Sequence, residues 1–559
     1  MDVKQITPGL SVGPQITAAD MVALKDQGFR AIICNRPDGE GADQPGFGEI
    51  QTAAQAQGLE ARYLPVTSGM VRDEDAADFE IALRDLPGPV LAYCRTGTRS
   101  ATLWALSQAG TRPMADILSA TRAAGYDMNG VARRIANGGR TPTDTGDAVY
   151  DVVIVGAGAA GISVAASLRS RRSDLRIAVI DPADIHYYQP GWTMVGGGIF
   201  QPGQTARTMG SLVPRGVTWI KSAVAAFEPQ NDAVILDGCR VVKYGRLVVC
   251  PGLKLDWAAV EGLEETLGRN GVTSNYRYDL APYTWDLVQG LRGGRAVFTQ
   301  PPMPIKCAGA PQKAMYLSAD AWLRRGVLKD IDIQFMNAGG VLFGVKDYVP
   351  ALMEYVRKYD ATLNLFHNLV AIDGPARRAT FDVAVPDGQP AQVTVDFDMI
   401  HVCPPQVAPD FIRVSPLADA AGWVDVDQAT LRHKAHDNIW ALGDVMNAPN
   451  AKTAAAARKQ APIVAENIVA DLNGRSAVAQ YDGYGSCPLT VERGKIVLAE
   501  FGYGGALKPS FPRWLVDGTR PTRAAWFLKE KMLPPIYWKA MLRGREWMAK
   551  PQKLTASAE

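Results

Sequence analysis

The chain has 559 residues, too many for one hydrophobic core, so several cooperating domains are expected. Its 47% hydrophobic and 21% charged content belongs to an ordinary globular protein and excludes a disordered or fibrous one, and a net charge of +2 argues against nucleic acid as a partner. The seven cysteines show no zinc spacing and the five histidines no metal constellation, so no metal is expected; a reducing cytoplasm suits this usage, and without an 18-residue apolar run membrane contact should be peripheral.

Residues 1 to about 112 alternate apolar strands ("RAIICN", "ARYLPV", "GPVLAYC") with helical stretches ("ITAADMVALKDQG", "DEDAADFEIALRDL"). That rhythm predicts a parallel sheet with crossover helices, a small α/β domain over 1–140 followed by a linker at 141–148. Inside it, "YCRTGTRSA" (93–101) sets Cys94 between a strand and a helix. Backbone N–H groups in such a loop form an anion nest that favours a thiolate. Tyrosine phosphatases place five residues between cysteine and arginine; here Arg99 follows Cys94 after four, and the shorter loop resembles that of rhodaneses, whose transferred atom is sulfur. The whole domain, with "NRPDGE" at 35–40, is similar to a bacterial family of phosphatase-fold proteins. Two roles follow from the resemblance: Cys94 and Arg99 as a persulfide carrier, the favoured reading, or as a phosphatase site with Asp38 as general acid. Asp38 reads more simply as a turn residue before Gly39.

"DVVIVGAGAAGISVAASL" places Gly156, Gly158 and Gly161 after a strand and at the start of a helix, and Asp181 ends the next strand, "RIAVID". This is the dinucleotide fingerprint: glycines admit a pyrophosphate, the helix N-terminus meets its charge, and the carboxylate takes a ribose hydroxyl. "NIWALGDVMN" (438–447) resembles the FAD signature of flavoproteins with two dinucleotide domains, which implies Gly443 and Asp444 at the ribityl chain and FAD as cofactor. A second domain of this type opens with "GRAVFTQP" (294–301), but prolines and Lys306 stand where a nicotinamide dinucleotide needs glycine. The boundaries read as 149–290 with 400–478 for the FAD domain, 291–399 for the second Rossmann-type domain, and 479–559 for a C-terminal segment.

"PMPIKCAGAPQKAMYLSAD", "VLFGVKDYVPAL", "SPLADAAGWVDVD", "KTAAAA" and "YDGYGSCPL" together resemble the mitochondrial-type branch of the sulfide:quinone oxidoreductases, over about residues 148 to 550. The resemblance implies Cys307 as a redox-active cysteine at the flavin, Lys452 among the cofactor-binding residues, sulfide as electron donor, a membrane quinone as acceptor and a thiol as final sulfur acceptor. Lys306 is expected to favour the Cys307 thiolate. The family's second cysteine is expected after the Gly-Asp of the FAD motif, where this chain has Val445; Cys403 and Cys250, at strand ends, are candidate substitutes or small core residues, and Cys487 and Cys239 read as structural. An NADH:quinone oxidoreductase is the alternative, and a homo-oligomer stays open.

The segment 513–553 interleaves Trp514, Trp526, Phe527, Tyr537, Trp538 and Trp547 with lysine and arginine. This composition suits a helix in the interface of an anionic membrane or an amphipathic helix packed on the domain. The resemblance favours the first, on the inner face of the cell membrane. The fold class is therefore α/β: a phosphatase-like or rhodanese-like domain, two Rossmann-type domains and a membrane-associating C-terminal segment.

Overall fold

The computed structural model describes residues 2–41, 44–68, 70–142, 148–237, 240–384 and 391–554 and divides into two compact units. Cys239 and most of the expected linker lie outside the described residues.

Unit 1 comprises 1–149 with 222–244 and 410–418. Its sheet orders β1 (Lys4–Thr7), β2 (Leu10–Gly13), β5 (Val90–Tyr93), β3 (Ala31–Cys34) and β4 (Glu60–Tyr63), all parallel except β1. Helices α1 (Met21–Asp26), α2 (Phe47–Ala56), α3 (Asp73–Asp85), α4 (Thr98–Ser107), α5 (Met114–Ala123) and α6 (Ala132–Ala136) complete it. Strand β5 reads VLAY and is buried along its length, which a central parallel strand covered on both faces requires. Its carboxyl end, where α/β sheets open their crevices, delivers Cys94. The insertions 222–244 and 410–418, expected in the FAD domain, belong here: Ala226 and Ile235 of an antiparallel hairpin pack on Ala132, and Phe411 stacks on Phe227 at 6.0 Å.

In unit 2, β6 (Ala148–Val155), β7 (Ile177–Ile180) and the strand Val217–Ile220 pair in parallel, with α7 (Ala159–Arg171) crossing between β6 and β7. The strand Ile439–Ala441 pairs in parallel with Leu247–Val249. A second parallel sheet orders Val272–Thr273, Met399–His401, Gly294–Gln300, Ile331–Asn337 and Thr362–Leu365. Its helix Ala310–Arg324 is buried on almost every side, because the hairpin Gly485–Glu492 and Lys495–Phe501 covers it. The first part of the expected C-terminal membrane segment is thus core: Cys487, Leu489 and Val491, alternating inward, join Trp322 and Tyr316.

The chain then runs through Arg523–Phe527, a wider turn of π-helix at Leu528–Met532, and Leu533–Lys539. Phe527 and Met532 are exposed there, whereas Lys529 is buried. Among the described residues no helix is long and apolar enough to cross a membrane.

Candidate active site

A cavity of about 520 Å³ in unit 2 is lined by Gly158, Asp181, Gly443, Asp444, Lys452 and Cys307, among others. The turn from β6 into α7 is closed to side chains: a Cβ on Gly161 would lie 1.8 Å from the Gly156 carbonyl oxygen. Asp181 accepts from the N–H of Ala157 at 2.7 Å and of Ala183 at 2.8 Å, so its carboxylate is oriented before any ligand arrives. Gly443 N donates to Gln460 Oε1 at 2.8 Å, and Asp444 follows it into the cavity. Burial raises the pKa of the Asp444 carboxyl, against the pull of Lys452 and Lys306. Lys452 Nζ donates to the carbonyls of Asp444 at 2.7 Å and Met446 at 2.9 Å and lies 4.2 Å from the centre of the Trp423 ring; burial lowers it to about 8. Two helix N-termini, of α7 and of Ala454–Leu472, reach this space, which suits a pyrophosphate and a flavin edge. The residues therefore fit FAD: the turn excludes Cβ atoms, and the Asp444 carboxyl lines the cavity.

At the other wall Cys307 adopts φ +83°, a left-handed conformation costing a side-chain-bearing residue about 1–3 kcal/mol, and starts the turn into the helix Ala310–Arg324. Its Sγ lies 3.2 Å from Cys487 Sγ. That is hydrogen-bond contact between two reduced sulfurs, since a disulfide would hold them at about 2.05 Å. The sulfur that meets Cys307 comes from the hairpin: it belongs to Cys487, read from the sequence as structural.

Cys403 is not that partner here. Its sulfur is buried against Gln406 Nε2 at 3.7 Å and the Pro404 carbonyl at 3.9 Å, and burial pushes its pKa up to about 12. Cys250 contacts the Gly156 carbonyl at 3.6 Å, beneath the dinucleotide turn, where burial also raises its pKa.

The cation at Cys307 also differs from expectation. Lys306 turns away to Gln189 Oε1 at 2.8 Å, and Lys313, one turn into the helix, donates to Cys307 Sγ at 3.1 Å. The Cys487 hydrogen bond, opposed by burial and helped by Lys313, holds the Cys307 pKa well below the ordinary thiol value. The same hydrogen bond, with burial, pushes Cys487 well above it. These opposite shifts favour a Cys307 thiolate beside a Cys487 thiol. Lys529 reaches the same region from the C-terminal helices, and burial with the Lys313 charge lowers it to about 7.

In unit 1, Cys94 is buried, and its sulfur accepts from Gly97 N at 3.2 Å. Gly97 (φ +88°) caps α4, and a Cβ there would strike the Tyr126 hydroxyl at 2.1 Å. Arg99, expected to grip an anion, is instead held inside. Its Nη1 donates to the carbonyls of Asn35 at 3.1 Å and Val66 at 2.6 Å, and its Nη2 to Glu40 Oε1 at 2.9 Å. Arg36 Nε takes the other oxygen of Glu40 at 2.9 Å. Although burial alone would raise it, these two arginines keep the Glu40 carboxyl below its usual pKa range. Asp38 stands in a turn before Gly39 (φ +77°), and its carboxylate accepts from the N–H of Phe47 at the start of α2 at 2.9 Å. Among the described residues no group of three or more His, Cys, Asp or Glu side chains is arranged to hold a metal.

The paired dinucleotide-type sheets and the glycine turn define a flavoprotein oxidoreductase, and residues 150–283 match the pyridine nucleotide-disulphide oxidoreductase family. The chain is 41% identical to the mitochondrial sulfide:quinone oxidoreductase of Dictyostelium discoideum, over 72% of this chain and 88% of that protein. It belongs to the sulfide:quinone oxidoreductase family and is FAD-dependent. The Aquifex aeolicus sulfide:quinone oxidoreductase has the same fold, with a TM-score of 0.59 at 18% identity over 71% of this chain and 92% of that one. Residues 2–111 match the phosphatase-like domain of beta-lactamase hydrolase-like protein. The Agrobacterium fabrum protein of that name is 34% identical over 24% of this chain and 31% of its own length.

Proposed function

We propose that this chain oxidises sulfide at the Cys307–Cys487 pair, passes the electrons through FAD to a membrane quinone, and hands the sulfane sulfur to a thiol, with Cys94 of unit 1 as a carrier. The observation that carries the reading is the 3.2 Å contact between two sulfurs, one beside Lys313, at the wall of the FAD cavity. In the oxidised form hydrosulfide attacks the Cys487 sulfur, because Cys307, the thiol of lower pKa, is the better leaving group. The S–S bond breaks, Cys487 becomes a persulfide, and Cys307 departs as a thiolate that Lys313 neutralises. An acceptor thiolate then takes the sulfane sulfur and leaves both cysteines reduced. The chemistry that FAD supplies when bound is acceptance of the electron pair that restores the disulfide, and its onward transfer. Overall, hydrogen sulfide, a thiol and a quinone give a persulfide and a quinol. Anaerobic addition of excess sulfide, a second hydrosulfide serving as the sulfur acceptor, should bleach the flavin and a soluble quinone should restore it; bleaching by NADH alone would sink the reading.

Lys529 gives this reaction a pH dependence. Burial and Lys313 depress it to about 7, so it is charged below that pH and attracts hydrosulfide, and neutral above it. In Lys529→Gln the sulfide KM, divided by that of wild type at the same pH, is expected to be several-fold high near pH 6 and to approach one by about pH 8. Sulfide's own ionisation cancels in that ratio. A ratio independent of pH would remove Lys529 from the anion site.

In unit 1 the fixed Arg99 favours sulfur over phosphate. A phosphoryl dianion calls for a free guanidinium fork, and Glu40 with two carbonyls already occupies this one. A persulfide needs only the backbone N–H groups around Cys94. Cys94→Ser is expected to abolish transfer of sulfane sulfur to an added thiol by the full-length protein, while flavin bleaching by excess sulfide, which itself takes the sulfane sulfur as hydrodisulfide, stays unchanged. Retained transfer, or loss of phosphate-ester hydrolysis alone, would overturn the carrier role.

Peripheral membrane attachment on the inner face is supported by Trp514, Phe527 and Trp547, 84%, 57% and 55% exposed, near lysines and arginines of the C-terminal segment. Tyr537, grouped with them in the sequence, is buried and faces the cavity.

A further inference from the structure

The helical run 523–539 is fastened at two buried points to one short segment of chain. Lys529 Nζ donates to the Pro190 carbonyl at 3.3 Å, and the Tyr537 hydroxyl lies 2.6 Å from His186 Nε2. His186 is 3% exposed, and its Nδ1 lies 3.0 Å from the carbonyl oxygen of Ala157 in the dinucleotide turn. A carbonyl can only accept, so Nδ1 carries the ring proton, Nε2 is the acceptor, and Tyr537 donates. Burial lowers the His186 pKa, against the Ala157 hydrogen bond and the charge of Asp181, and keeps this neutral tautomer. The Tyr188 ring, 4.7 Å from that of Tyr537, and the Trp538 ring, 5.8 Å from that of His186, enclose the pair.

The same helical run lines the cavity with Leu533, Ile536 and Tyr537, and His186 lines it as well. The His186–Tyr537 hydrogen bond therefore ties the run to the segment that is held to the dinucleotide turn. The dithiol stands on other elements, the turn before Ala310 and the hairpin strand Gly485–Glu492.

We propose that His186 is a positioning residue for the electron acceptor: through Tyr537 it fixes the apolar side chains that the helical run presents to the cavity, against which a flat, apolar ring would rest. This rests on the sulfide-to-quinone reading above. It predicts an effect on acceptor affinity with the sulfide half-reaction untouched.

The test uses the full-length flavoprotein with Tyr537→Phe, which is isosteric and removes only the donor, His186→Phe, and the double variant. Binding of a redox-inert alkylhydroxyquinoline is followed by quenching of protein fluorescence, the KM and kcat for a short-chain ubiquinone by turnover, and flavin reduction by sulfide in stopped flow. Each single variant is expected to raise the quinoline Kd and the quinone KM by ~10-fold, as loss of one buried hydrogen bond does, with kcat and flavin reduction within about twofold. The double variant should be no worse than either single one, since both remove the same interaction. Unchanged Kd and KM, additive effects, or flavin reduction slowed in step with KM would overturn the proposal. A wild-type protein that sulfide does not reduce would instead refute the underlying reading, and the quinoline affinities would still decide the role of His186.

Discussion

Replacing Cys487 with serine is expected to abolish sulfide-dependent bleaching of the flavin, with a loss of at least ~10³ in rate, while FAD stays bound. The serine is slightly smaller than the thiol that packs against Gly309, so the hairpin keeps its place on the helix Ala310–Arg324. What disappears is the sulfur that forms the disulfide and takes the incoming hydrosulfide. Cys307→Ser should be equally inactive for the complementary reason that no low-pKa leaving thiolate remains. Cys403→Ser serves as the control and should behave as wild type, because that sulfur is turned to Gln406. Wild-type bleaching in Cys487→Ser, or a loss confined to Cys403→Ser, would mean that the pair has been wrongly assigned. Anaerobic stopped-flow absorbance at the flavin band decides it.

Lys313→Met should be the next most damaging change, slowing flavin reduction by ~10² or more. Its side chain is 2% exposed, with the ammonium 3.1 Å from the Cys307 sulfur, and unpairing one member of a buried charged pair costs several kcal/mol. The sign in pH is fixed. The Cys487 hydrogen bond and, after it, the Lys313 charge hold the Cys307 pKa well below the ordinary thiol value against burial. Without Lys313 that pKa climbs, and the residual rate, divided by that of wild type at the same pH, should rise with pH. A pH profile parallel to wild type in the variant would show that Lys313 only packs against the sulfur. Thiol alkylation rates measured against pH provide a second readout that does not depend on turnover.

The parts of the site legible in the sequence were those built from neighbours in the chain. The turn at Gly156–Gly161 with Asp181, the strand-loop-helix around Cys94 and the turn role of Asp38 all follow from local spacing. Cys487 escaped because its partner is distant in sequence and because a cysteine alternating inward with Leu489 and Val491 has the pattern of a small core residue. Its one available signal was its place inside "YDGYGSCPL", itself part of the family resemblance. The partners of Arg99 were hidden for a similar reason. Nothing in "CRTGTRS" announces that Glu40, from another loop, will occupy the guanidinium. Lys306 precedes Cys307 in sequence, but the turn sends its side chain the other way, and a residue on the following helix provides the charge. In the C-terminal segment, composition could not separate residues that face outward from Lys529 and Tyr537, which line the cavity.

The single wide turn at Leu528–Met532 has a consequence for how one helix can serve two surroundings. Hydrogen bonding from i to i+5 lines up residues five apart, so Phe527 and Met532 fall on one side and Lys529 on the other. A regular α-helix would rotate these positions away from one another and turn Met532 toward the side that Lys529 occupies. The bulge acts as a phase shifter: it lets an exposed apolar stripe and an ionisable inner contact share a few consecutive residues.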